Sequence, residues 1–341
     1  MNPLIFVGIG EVLFDVFEDG TETLGGAPLN VAVHAHQLAR QLDIGHGIIA
    51  SCVGTDQRGY KILDALLQLR MPTRYVGTDS CHPTGLVSVF MRDGEPGYQI
   101  ESGVAWDFMT DTPALEGLAG RCSAVCFGSL AQRSVPSRET IRSFLRNAPQ
   151  AVRLYDVNLR QNKLTGETGY SPEIVDYGCR AATIIKANQF ELFAILGLLG
   201  MSCPADPTPD GIRCGMELLL ARFPARAIVV TRSAEGTLAL DRNGTFDQSV
   251  PSVIEGSPYP VGAGDACSAG ILFGITLGWD LHTTMELANR MGADVAAHAS
   301  ATPPLSDGTL RFAREKCPIT QRGNRYARSN RRGELNDRGA Y

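Results

Sequence analysis

Gly262, Ala263, Gly264 and Asp265 stand together, just after Pro258-Tyr-Pro-Val261 and just before a run of small and apolar residues, Ala266 to Ile275. Two glycines so placed permit a sharp turn and a close approach of backbone to a ligand. A helix that starts here has first-turn N–H groups without internal partners, and those can hold an anion. Asp265 is a poor ligand for that anion, because like charges repel. It fits better as a base that takes a proton from a hydroxyl while the amides stabilise charge on a phosphoryl group. The competing explanation is structural, a glycine turn with Asp265 as helix cap.

Other polar residues sit where chemistry could use them. Asp15 lies in the apolar stretch Val12-Leu-Phe-Asp-Val-Phe17 and needs a partner, either turn water or a ligand hydroxyl. Gly25 and Gly26 precede a small-residue helix that carries Asn30 near its first turn. This fits close approach by a small polar molecule, or a plain loop into a helix. Arg160 ends the run Asp156-Val-Asn-Leu-Arg160. Its fork of donors suits a phosphate or sugar, or a pairing with Asp156. Asn188 and Glu191 are three apart and share one side of a first helical turn. A capping box explains them equally well locally. Thr231, Ser233 and Gly236 fall in a strand, tight turn and second strand. His34 and His36 are two apart, face different sides of a helix and read as structural.

The elements that must position these residues follow from the pattern. Leu4 to Ile9 is a continuous apolar run, as a central parallel strand requires. Ile48 to Gly54 is a second strand, followed by a helix from Tyr60 to Leu69. Thr84 to Met91, a turn at Arg92 to Gly97 and a return through Ile100 read as a hairpin. That hairpin breaks the β-α-β rhythm. Residues 12–26 and 82–106 together read as a small β lid, which would exclude water from a site beneath it. From Cys122 onward strands and helices alternate regularly, and in such sheets ligands bind outside the carboxyl ends of the strands. Gly8 and Gly10 form a G-x-G, but Leu13 stands where a dinucleotide fingerprint needs its third glycine, so a nicotinamide oxidoreductase is poorly supported.

The G-A-G-D core resembles the C-terminal signature of the ribokinase-like (PfkB) carbohydrate kinases. Gly25-Gly26-Ala-Pro-Leu-Asn30 resembles the family's G-G-x-x-x-N sugar signature and is similar to fructokinases in particular. D-x-N-x-R at 156–160, N-x-x-E at 188–191 and a T-x-S-x-x-G turn at 231–236 occur in the family's order. The resemblance covers roughly residues 4–310. It implies an α/β, ribokinase-like three-layer α/β/α sandwich with a central, mostly parallel sheet and a small β-sheet lid. It implies that Asp265 is the catalytic base and that Gly262, Ala263 and Gly264 form the anion hole. Asp15, Gly25, Gly26, Asn30, Trp106 and Arg160 would then bind sugar. Asn188, Glu191, Thr231, Ser233, Gly236 and Asn289 would bind ATP, with Glu191 reaching Mg²⁺ through water. Trp106 is otherwise lid packing. Tyr259 and Pro260 replace the family's Asp-Thr pair, which often serves a monovalent cation, so no such site carries over. Ser233 replaces a glycine, and a turn needing positive φ would be strained there.

Composition narrows the class. At 44% hydrophobic and 20% charged, the 341-residue chain has an ordinary globular make-up with room for one large domain. Residues 311–341 hold nine of the 31 Lys/Arg and three of the 36 Asp/Glu. The body is therefore strongly acidic and gives no sign of a nucleic-acid surface. The domain expectation is a kinase domain over 1–310 and a basic, disordered tail over 311–341. Nine cysteines without a C-x-x-C pair read as thiols of a reducing, cytoplasmic setting, with Cys52, Cys126 and Cys267 buried. The first ten residues read as a buried strand rather than a signal peptide, and no segment is long enough to span a membrane.

The expected activity is ATP-dependent phosphorylation of a sugar hydroxyl, with fructose favoured by the Gly25–Asn30 stretch. Ribose, 2-keto-3-deoxygluconate and nucleosides remain open. A non-catalytic sugar or nucleotide sensor on the same fold is the rival class, motivated by Tyr259, Pro260 and Ser233. Exposed lid edges favour a homodimer.

Overall fold

The computed structural model describes residues 2–92, 95–161, 166, 168–250 and 261–317, with backbone only at 91, 92 and 95–97. In chain order the strands are β1 (Leu4–Ile9), β2 (Leu13–Phe17), β3 (Glu22–Gly25), β4 (Gly45–Gly54), β5 (Val76–Asp79), β6 (Gly85–Arg92), β7 (Glu95–Ile100), β8 (Ala124–Gly128), β9 (Val152–Asp156), β10 (Ile184–Asn188), β11 (Ala227–Thr231), β12 (Thr237–Asp241) and β13 (Phe246–Ser249). The helices are α1 (Ala27–Gln41), α2 (Gln57–Gln68), α3 (Pro113–Ala119), α4 (Val135–Arg146), α5 (Pro172–Ala181), α6 (Gln189–Leu198), α7 (Pro209–Arg222), α8 (Ala263–Thr276), α9 (Leu281–Ala296) and α10 (Asp307–Lys316).

Alternation along the buried strands builds three layers. In β1, Ile5, Val7 and Ile9 face one core, and Leu4 and Phe6 face the other. In β8, Val125 and Phe127 go with the first set and Ala124 and Cys126 with the second. This is the period-two rule applied to strands buried on both faces. The first core is closed by α3 to α7, with Leu115, Ile141, Val175, Leu192 and Ile212. The second is closed by α1, α8, α9 and α10, where Phe6 stacks on Phe273 at 5.5 Å between ring centres. Each such fully buried side chain contributes roughly 1.5–3 kcal/mol.

The large sheet runs in the order β13-β12-β11-β10-β9-β8-β1-β4-β5. It is parallel from β11 across to β5, and β12 and β13 are antiparallel additions at one edge. The second sheet has the order β3-β2-β6-β7, built from the two stretches expected to form the lid. The hairpin β6–β7 is antiparallel, whereas β2 lies parallel to β6 with Asp15 beside Val87.

Two expectations about chain segments need correction. The tail does not begin at 311. Ser306 caps α10 by accepting from the Thr309 amide, and the helix carries Phe312 and Ala313 into the second core, with Cys317 buried just beyond. Phe312 meets Trp279 edge-on and lies under Arg290. The apolar residues that do this are only three in a basic stretch, so composition hides them. Residues 318–341, Tyr259 and Pro260 lie outside the described residues. The helix after β4 also starts earlier than the expected Tyr60, because Asp56 accepts from the Gly59 amide and begins α2 at Gln57.

Candidate active site

Lys186 near the carboxyl end of β10 and Asp156 at that of β9 meet the first turns of α8, and β8 also packs against that helix. Gly262 precedes that helix with φ +84° and offers no side-chain cap. A Cβ there would lie 2.8 Å from the Cβ and carbonyl oxygen of Ala301, so both conformation and space call for glycine. Asp265 is therefore not the helix cap. It is the third residue of α8, half-buried, and its Oδ2 accepts a 2.8 Å hydrogen bond from Asn30 Nδ2 on α1. Two residues 235 positions apart meet at the point where a base is expected. Asn30 is 4% exposed, and its Oδ1 has no partner among the described residues. A buried acceptor left open is costly unless a ligand donor fills it.

Burial pushes the Asp265 carboxyl up to about 6, with Asp156 adding to the rise and Asn30, Lys186 and Arg160 opposing it. A carboxylate near 6 is ionised at neutral pH yet is a better base than an ordinary aspartate. Asp15, half-buried on β2, is pushed up to about 6 by burial and held down by Arg160. Gly25, the end of β3, lies against it, since a Cβ there would fall 2.8 Å from Asp15 Oδ2. Gly26 has φ +114° and opens α1, which brings Asn30 inward.

Arg160 does not pair with Asp156, contrary to the structural alternative. It is exposed, and its charge lowers Glu11, Asp15 and Asp265. Asp156 instead faces Lys186, whose Nζ is 3.0 and 3.2 Å from the two carboxylate oxygens, and accepts from Ser268 Oγ at 2.7 Å. Burial works against the lysine charge, but Asp156 above all, with Cys267, Asp265 and Glu191, holds Lys186 above the usual lysine value.

Beside this centre lie the residues expected to meet the nucleotide. Asn188 and Glu191 form the capping box of α6. Both Glu191 oxygens accept backbone amides, Oε2 from Asn188 at 2.8 Å and Oε1 from Leu159 at 3.0 Å. Asn188 pairs in register with Thr231, and Thr231 with Thr237. Ser233 has φ +51° at an exposed position, so the anticipated strain is present, and Gly236 follows with φ +82°.

Two expected contacts go elsewhere. Trp106 is fully buried, in the core closed by α3 to α7, with the Arg133 guanidinium 4.2 Å from its ring centre. It packs under Arg133, which is tied to Asp107 at 2.8 Å, and offers no surface to a sugar in this conformation. Asn289 is 8% exposed, and its amide donates to Thr237 Oγ1 and the Ser249 carbonyl. It ties α9 to β12 and β13 rather than facing a nucleotide. His34 and His36 are structural as expected, each bonded to backbone, at Ala301 and Gly47.

Sequence reasoning missed Glu11, Lys186 and Ser268. Glu11 is 3% exposed, burial pushes it up to about 7, and its Oε2 has no partner among the described residues. It lines a small cavity with Pro28, Phe127, Gly128, Asp156 and Asn158. The available signal was a charged residue ending or interrupting an apolar strand, at Glu11 after β1 and at Lys186 within β10. Ser268 carried none.

Residues 14–307 match the pfkB family carbohydrate kinases. An uncharacterized sugar kinase of Pyrococcus horikoshii, PH1459, is 26% identical over 322 residues, covering 90% of this chain and 95% of its own. Its crystal structure superposes with TM-score 0.70 at 25% identity over 92% of this chain and 99% of that one. A fructokinase with bound ATP from Xylella fastidiosa gives TM-score 0.76 at 19% identity, covering 92% and 98%. Aminoimidazole riboside kinase from Salmonella enterica, complexed with aminoimidazole riboside and an ATP analog, gives 0.71 at 21%, covering 91% and 99%. The last two likenesses concern the fold alone.

Proposed function

The chain belongs to the pfkB family of carbohydrate kinases, and from that premise we propose that it phosphorylates a monosaccharide hydroxyl, fructose first among candidates, with Asp265 as general base. The observation that supports this most is the Asn30–Asp265 hydrogen bond, which joins the sugar-type signature to the G-A-G-D turn at 2.8 Å. In the proposed reaction a sugar hydroxyl lies against the carboxylate of Asp265 and gives it the proton. The sugar oxygen attacks the γ-phosphorus of ATP in line, and ADP leaves. The amides at the start of α8, from Ala263 on, have no partner within the helix and receive the charge of the transferring phosphoryl group. The open Oδ1 of Asn30 and the carboxyl of Asp15 would hold further sugar hydroxyls. Arg160 would neutralise substrate charge from the rim.

Magnesium fits this donor set in one way only. Among the described residues no group of three or more His, Cys, Asp or Glu could cage a metal. Glu191 already accepts two amides, and its remaining lone pairs suit a metal-bound water rather than the ion itself. When bound, Mg²⁺ neutralises charge on the phosphates of ATP. The fructose reading rests on Gly25-Gly26-Ala-Pro-Leu-Asn30, and pairing of two copies through the open strands β3 and β7 would complete the lid.

ADP release measured over a panel of fructose, ribose, 2-keto-3-deoxygluconate and nucleosides tests the proposal. The expected result is turnover with fructose, lowered at least ~100-fold in a folded Asp265→Asn protein. Sugar binding without ADP release from any panel member would make the chain a sensor.

A further inference from the structure

The anion hole is held from behind. Lys186 is 6% exposed, and its Nζ donates to the Gly264 carbonyl at 3.1 Å as well as to both oxygens of Asp156. Ser268 Oγ stands 2.7 Å from Asp156 and 3.0 Å from the same Gly264 carbonyl. A hydroxyl has one proton, and the carboxylate is the stronger acceptor, so Lys186 is the steady side-chain donor to that carbonyl. Burying an ion pair is a weak source of stability, because desolvation offsets the attraction. The pair needs another reason to be here, and peptide geometry supplies one. The Gly264 carbonyl belongs to the peptide whose N–H is that of Asp265. A trans peptide is planar, so fixing the carbonyl direction fixes the opposed N–H and the Cα that carries the carboxyl.

We propose that Lys186, clamped by Asp156, is a positioning residue for phosphoryl transfer: it sets the plane of the Gly264–Asp265 peptide, and so the aim of the Asp265 amide and the seat of its carboxyl. The ammonium also draws charge onto the carbonyl oxygen, which makes the opposed N–H a stronger donor to an anion. The role rests on the reading of Asp265 as base, and it gives Asp156 and Lys186 a task that neither performs on the substrate directly.

The test removes both charges at once, since Lys186→Met alone would leave Asp156 buried and unpaired. The double variant Asp156→Asn with Lys186→Met keeps the net buried charge and should fold with a Tm equal to or above that of the native protein. Its kcat should fall ~100-fold, the scale of a small misplacement at a reacting centre, while the sugar KM stays within about threefold. Amide hydrogen exchange in the peptide spanning 261–270 should quicken ~10-fold, as the first turn of α8 loosens. A stable double variant with native kcat and native exchange overturns the proposal, because a purely structural pair would behave so. If the native protein phosphorylates no sugar, the kinase reading fails by itself, and the exchange measurement still decides the positioning role.

Discussion

The amino end of α8 and the turn after β11 are both expected to meet the nucleotide, and they are built differently. At α8 polar groups from several elements are tied together. Asn30 from α1 reaches Asp265, and Lys186 from β10 and Ser268 within α8 converge on Gly264 and on Asp156 of β9. At the turn, Ser233 is exposed in a left-handed conformation and Glu235 is mostly solvated, though Arg232 beneath it is buried and bonded to it at 2.7 Å. The difference teaches where the fold spends its charges. In the proposed reaction proton transfer tolerates little misplacement, and the groups assigned to it sit in a buried network. Backbone amides assigned to phosphates would need only the right chain path, and one strained residue would be tolerated there.

Substitutions can break or sharpen this contrast. Gly262→Val should have the largest effect. It forces a branched residue to φ +84° against Ala301, and turnover should drop at least ~100-fold with loss of thermal stability. Asn30→Leu should lower kcat/KM by roughly 10- to 100-fold. It should also move the acid limb upward, because Asn30 holds the Asp265 carboxyl down. A pH series of initial rates reads both.

Glu11→Gln addresses stability rather than rate. The Glu11 carboxyl rises from 4.5 to about 7 on folding, so its ionisation penalty is absent below pH 4.5 and complete above about pH 7. The variant should therefore gain on the native protein as pH rises from 5 to 8, by on the order of 2–3 kcal/mol in urea unfolding. Ser233→Gly should have the smallest effect, relieving left-handed strain worth about 1 kcal/mol. In the same assay the ATP KM should change less than about threefold, whereas any comparable change at α8 should be felt in kcat.

What could be seen in the sequence follows the same division. Motifs that act through local geometry were legible. The glycine turn before Asp265, the capping box at Asn188 and Glu191, and the strain at Ser233 each depend on neighbours in the chain. The lid strands were legible because alternation needs only a short window. Contacts across the fold were not. Nothing near Lys186 shows that its partners are Asp156 and the Gly264 carbonyl, since those are fixed only when β9, β10 and α8 pack together. Trp106 looked like a pocket wall because an aromatic beside a lid hairpin could face either way, and its place in the core beneath Arg133 is set only when the elements pack. The same holds for Asn289, whose strand partners lie 40 and 52 residues away. The basic composition after 311 concealed the apolar residues of α10.

The pH dependence of kcat/KM tests most directly whether Asp265 is the proton acceptor. The account predicts a fall of one decade per pH unit below about pH 6 in the native protein, and no such limb in the residual rate of Asp265→Asn. A native profile that stays flat through pH 5, or an Asp265→Asn protein that keeps the same limb, would contradict it.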